Sequence, residues 1–190
     1  MEIKKYRLTE ETATVICNRK KITLHRIQAL RDFGNIKAGE LGGYIESEQN
    51  LADKDDCWVA DNAWVYGGAA VCGAAKVWGN AKVWNYAIVY GSACVFGHAE
   101  VYGCSSVYGD AKVFGYATVG ENARVFGHAE VYGCSSVYGG AKVFGYATVG
   151  GNARVFGGAE VSYGVVVCGD TVLSKQSSEE QNKSGLSNVE

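Results

Sequence analysis

Proline is absent from all 190 residues, and no stretch approaches the roughly 18 consecutive apolar residues of a membrane span. With no proline and no glycine at every third position, a collagen-like chain is excluded. Charge of one sign is also missing. The net charge is −2, and no segment among 1–55, 56–173 and 174–190 is basic enough for a nucleic-acid footprint. The start, MEIKKYRLTE, lacks the apolar core of a signal peptide, so we expect a soluble, cytoplasmic protein with no membrane partner. Seven cysteines, at 17, 57, 72, 94, 104, 134 and 168, are odd in number, irregularly spaced and without a CxxC pair. That pattern suits reduced thiols better than a disulfide framework.

What the chain does have is a period of six. From Asp56 to Gly169 it divides into 19 consecutive hexads without an insertion: DCWVAD, NAWVYG, GAAVCG, AAKVWG and onward. The fourth position is valine in all 19 and the second is alanine in 15, with Cys57, Ser105, Ser135 and Val165 as the others. Positions two apart share a face of an extended chain, so one face is small and apolar throughout. Glycine closes 15 hexads, and Asp61, Asn85, Glu121 and Tyr163 close the rest. A glycine every sixth residue marks a corner, where positive φ is tolerated without a Cβ. Six residues cannot bury their own apolar face, so the units must stack into a solenoid. Helical arrays need longer repeats and a 3.6-residue period.

Segments such as ATVGENARVFG (117–127) resemble the hexapeptide-repeat signature of bacterial acyltransferases and gamma-class carbonic anhydrases. That resemblance implies an all-β, single-stranded parallel β-helix, left-handed and triangular, with three hexads per coil and therefore about six coils. Residues 24–63 are similar to the front module of acyltransferase-like proteins of bacteria and their phages, where such a block precedes hexapeptide coils. The organisation we expect is an N-terminal β capping module over 1–55, the β-helix over 56–173, and a disordered tail over 174–190, which has almost no apolar residues. Within the cap, TATVIC (12–17) and ITLHRI (22–27) read as a hairpin around NRKK, and GNIKAGELGG (34–43) reads as loop.

With three hexads per coil, residues 18 apart stack at about 4.8 Å, and each candidate site can be tested against that rule. HAEVYGCSSVYG occurs at 98–109 and again at 128–139, and two His plus two Cys suggest zinc. The duplication spans 98–127 and 128–157, thirty residues, or five hexads, so the second copy of every residue lands on a different side. His98 is then two coils from Cys134, roughly 10 Å, too far to share a metal. We expect no metal. The carbonic anhydrase reading fails as well, since His25, His98 and His128 are the only histidines.

An acyltransferase needs a general base. Asp110, His128 and Tyr146 share a column, which makes His128 the candidate base and Asp110 its orienting carboxylate. Hexads without insertions leave no obvious cleft within one chain, so such a site, with acyl-CoA as donor, would lie between subunits. Position 5 is aromatic in 13 hexads, and the rule sorts these residues into three ladders. Trp78, Phe96, Phe114 and Tyr132 form one; Trp84, Tyr102, Tyr138 and Phe156 belong to a second; Tyr90, Tyr108, Phe126 and Phe144 make the third. These ladders stiffen a sheet, and as exposed stripes on every side they are also candidate binding surfaces for further subunits, as in a trimer, or for a protein or glycan partner. The favoured reading is a non-enzymatic structural or binding solenoid without cofactor, phage- or mobile-element-associated by resemblance; the alternative is the inter-subunit acyltransferase.

Overall fold

The computed structural model describes residues 4–17 and 19–175. Every hexad becomes the same object: a two- or three-residue strand holding positions 3 and 4, followed by a two-residue bend at positions 6 and 1. The bends are left-handed, and all 15 glycines at position 6 have positive φ. The four replacements follow them, with φ of 55° at Asp61, 60° at Asn85, 57° at Glu121 and 53° at Tyr163.

Three bends close a coil, and each strand pairs in parallel with the strand 18 residues on, as in Cys94↔Lys112 and Val95↔Val113. The result is a three-sided β-solenoid of about seven turns, not six, because residues 44–51, ahead of the first hexad, already pair in parallel with Trp64–Val65 and Val71; it is consistent with the left-handed β-helix that the resemblance implies. Its sides are sheets of ten, seven and six strands. The interior is built as the period requires. All 19 valines are buried, and so are the 15 alanines, Cys57, Ser105 and Ser135; Val165, on the last coil, is exposed. The two serines are accommodated because each hydroxyl donates to a corner carbonyl 2.7 Å away, Tyr102 for Ser105 and Tyr132 for Ser135.

The N-terminal end is closed. Strands β1 (Tyr6–Cys17) and β2 (Lys20–Ala29) form an antiparallel hairpin, longer than the sequence suggests. It adds through β3 (Leu41–Ile45) to the ten-stranded side. β3 begins inside the stretch read as loop. Its two glycines serve packing, since a Cβ on Gly42 would lie 2.5 Å from Ile27 and one on Gly43 would lie 2.5 Å from the Ala63 carbonyl. Paired in parallel with Trp64–Val65, β3 starts the first coil. Tyr6 and Phe33 pack edge-on against Trp58, with ring centroids 6.4 and 5.3 Å away. Lys5, wholly buried, donates to the carbonyls of Ala52, Asp55 and Cys57. The far end carries exposed Tyr163, Val165, Val166 and Val172. Of the polar tail, residues 176–190 lie outside the described residues. Among the described residues, no helix is long and apolar enough to cross a membrane.

Candidate functional site

His128 stands at a corner between Asp110 on the coil below and Tyr146 on the coil above, as the 18-residue rule requires. Its Nδ1 lies 3.6 Å from Asp110 Oδ2, long for a hydrogen bond, and the side chains are 52% and 58% exposed. Its other neighbour stacks at 4.7 Å with planes 10° apart. His98 stacks on Tyr116 in the same way, at 4.8 Å and 4°. The two histidines therefore differ in what lies beneath them, not in how they are held. The pair at His128 is open to solvent, at a bend between strands.

The aromatic residues at position 5 are arranged face to face. Trp78, Phe96, Phe114 and Tyr132 stack at 4.4, 4.9 and 5.2 Å. Tyr90 and Tyr108 lie 4.8 Å apart, and Tyr108, Phe126 and Phe144 follow at 4.9 Å steps. The second column is not continuous. It starts one rung earlier, at Tyr66, runs through Trp84 to Tyr102, stops at Gly120, and resumes as Tyr138 on Phe156. A Cβ on Gly120 would lie 2.4 Å from the Tyr102 ring, and one on Gly150 would lie 2.5 Å from Tyr132. At both breaks the last ring folds over bare backbone. Stacking covers the ring faces inside each ladder and leaves the edges outward. Most of these rings are half-buried; Tyr90 is more open.

The position 3 columns carry one ion pair per side: Lys82–Glu100 at 3.2 Å, Lys112–Glu130 at 3.0 Å and Lys142–Glu160 at 2.8 Å. Each pair is thirty residues from the next, which is how five hexads rotate one feature onto three sides. On the ten-stranded side that column begins with Tyr44, Trp64 and Lys82 in register. There the hairpin forms a wall. Ala13 of β1, Tyr44, Trp64, Lys82 and the corner residues Asn62 and Asn80 line an open cleft of about 260 Å³. Arg26 of β2 lies 5.4 Å over the Tyr44 ring and pairs with Glu11 at 2.9 Å. Glu11 accepts from the Tyr44 hydroxyl at 2.7 Å. These two bonds, the Tyr44 one foremost, hold the Glu11 carboxyl below its ordinary range.

No protein-family model matches the chain. A stretch of 63 residues is 36% identical to the "Uncharacterized acetyltransferase YdcK" of Escherichia coli (strain K12), covering 31% of this chain and 19% of that protein. That likeness joins the unbroken hexads and the parallel strands 18 residues apart. The chain is a hexapeptide-repeat β-helix protein. Within this β-helix protein the structure brings His128 to Asp110 and places the ladder residues on their columns, while His98 and Cys134 stay apart with Tyr116 between them. Sequence reasoning missed the cleft. Trp64 was the available signal, a tryptophan at position 3, where most hexads carry a polar or small residue, but the wall opposite it comes from a hairpin whose path the period does not encode.

Proposed function

We propose that this protein is a non-enzymatic binding rod: a capped β-helix that presents its sides to a partner, in the phage or mobile-element setting that the resemblance of its front module implies. The observation that carries this reading is the rotation of one set of features onto all sides. Lys–Glu rungs spaced thirty residues apart fall on each of the three sides of the coil. A surface repeated around an axis suits multivalent contact or self-association into a bundle such as a trimer, whereas a single tuned reaction centre gains nothing from it. Rods of stacked repeats also offer long, rigid faces at little conformational cost on binding.

A second reading is supported by the similarity to the acetyltransferase named above and by the His128–Asp110 pair. In it, His128 is the general base, Asp110 positions it, and a neighbouring chain supplies the missing wall of an acyl-CoA site. Thermal-shift and thioester-hydrolysis assays with acetyl-CoA, on the wild type and on His128→Ala, separate the two. The binding-rod reading expects no shift and no turnover. Turnover that disappears in His128→Ala overturns it and establishes the enzyme.

A further inference from the structure

We infer that the cleft between the hairpin and the first coils is a glycan-binding site, in which the Trp64 indole is the platform for a neutral sugar ring and the Asn62 and Asn80 amides read its hydroxyls. The inference deepens the binding-rod reading and rests on it. It starts from a difference between Trp64 and the ladder rings. A sugar binds an aromatic residue through the ring face, where its axial C–H bonds meet the electron-rich surface. In the ladders those faces are taken by the neighbouring rungs 4.4–5.2 Å away. Among the described residues, no aromatic ring stacks on Trp64; the Lys82 ammonium lies over the ring, 6.0 Å from its centroid, at the outer limit of a cation–π contact.

The charges of the cleft point to a neutral ligand. Lys82 is paired with Glu100 at 3.2 Å, and Arg26 with Glu11 at 2.9 Å, so the two cations beside the aromatic residues are already compensated. The uncommitted polar groups are amides. Asn62 and Asn80 stand exposed on successive corners, their backbone N–H groups donating to Gly79 and Gly97 at 3.0 and 2.7 Å. Among the described residues their side chains make no hydrogen bond. An amide both donates and accepts, as a sugar hydroxyl does, which is the match a neutral polyol needs. The cleft of about 260 Å³ is smaller than the roughly 300–1,000 Å³ that encloses a drug-sized molecule, so it holds one sugar unit and leaves the rest of an oligosaccharide outside.

The test uses four neutral probes, maltohexaose, cellohexaose, chitohexaose and mannohexaose, and one charged probe, oligogalacturonate, each titrated at millimolar concentration against the ¹⁵N-labelled full chain. The Trp64 indole resonance is assigned by its loss in Trp64→Phe, whose far-UV melting curve verifies that the fold persists. The expected result is that at least one neutral probe shifts this resonance. Affinity should fall at least about tenfold in Trp64→Ala, the loss of one aromatic platform, and be unchanged in Trp78→Phe on another side. Asn62→Ala with Asn80→Ala should weaken binding without moving the melting temperature. No shift at Trp64 with any neutral probe overturns the inference, and so does binding confined to oligogalacturonate. Neutral-sugar binding that survives Trp64→Ala overturns this site while leaving the binding-rod reading standing; that reading fails separately, through acetyl-CoA turnover.

Discussion

Glu121 and Gly151 occupy the same place in two copies of one thirty-residue unit, and both adopt left-handed backbone, with φ of 57° and 65°. The left-handed region costs a residue with a Cβ about 1–2 kcal/mol, of which the greater freedom of an unfolded glycine cancels about half. Glu121→Gly should therefore stabilise the protein by about 0.5–1 kcal/mol, a rise of about 2 °C in Tm by thermal denaturation. Asp61→Gly relieves the same strain but should bring no gain, because the Asp61 carboxylate accepts the Gly79 N–H at 3.0 Å. Equal gains at the two sites would show that the corner carboxylate contributes nothing. A second residue-scale effect concerns pH. Tyr66 is 6% exposed, and burial pushes its hydroxyl from an ordinary value of 10 to about 12. The folded pKa is raised, so the unfolded chain ionises first. Stability is full below pH 10 and declines as pH rises toward 12. Melting curves across that window should fall less steeply for Tyr66→Phe than for the wild type.

At the scale of the element, a strand of two residues has almost no stability of its own, and its side chains on the coils above and below supply the rest. Phe114 stacks on both Phe96 and Tyr132, whereas Phe156, at the end of its short ladder, stacks on Tyr138 alone. Each stack is worth about 0.5–1.5 kcal/mol beyond area burial, so Phe114→Ala should destabilise by about 2 kcal/mol and Phe156→Ala by about half as much. Chemical denaturation of the two variants measures the ratio, and equal losses would mean that the rungs act singly. This scale also separates what the sequence made legible from what it did not. Valine at position 4 and glycine at position 6 recur so strictly that strand and corner follow from spacing alone, whereas the three-sided coil and its 18-residue pairing came with the resemblance to hexapeptide-repeat proteins. The interruption at Gly120 was visible as a missing aromatic, though not that Tyr102 would lie over it. β3 escaped because Gly42 and Gly43 look like a turn and are in fact strand residues that let Ile27, Trp58 and Ala63 close in. The hairpin's reach toward Trp64 was illegible for a related reason. The hairpin lies outside the six-residue period, and its pairing includes a register shift between Leu8 and Thr12 that no period announces.

For the whole molecule, the unit of construction is six residues, whereas the unit of stacking is eighteen. An insertion or deletion in whole hexads preserves every corner and the valine core, and only the identity of the outward residues in each column changes. Removal of 128–157 joins Gly127 to Gly158 in phase. The shortened chain should fold with its cap intact and lose about 8 Å of length, since thirty residues amount to five thirds of a coil at about 4.8 Å per coil. Stability should fall in proportion to the coils lost, because each coil contacts only its neighbours. Removal of 128–155, two residues fewer, leaves the junction out of phase. Valine would then meet a corner position, and glycine, with its left-handed bend, would fall inside a strand. That variant should lose the cooperative unfolding and the native far-UV spectrum that the thirty-residue deletion keeps. Circular dichroism and small-angle scattering on the pair decide the matter. If both fold alike, the period is a relic of duplication rather than the rule that holds the rod together.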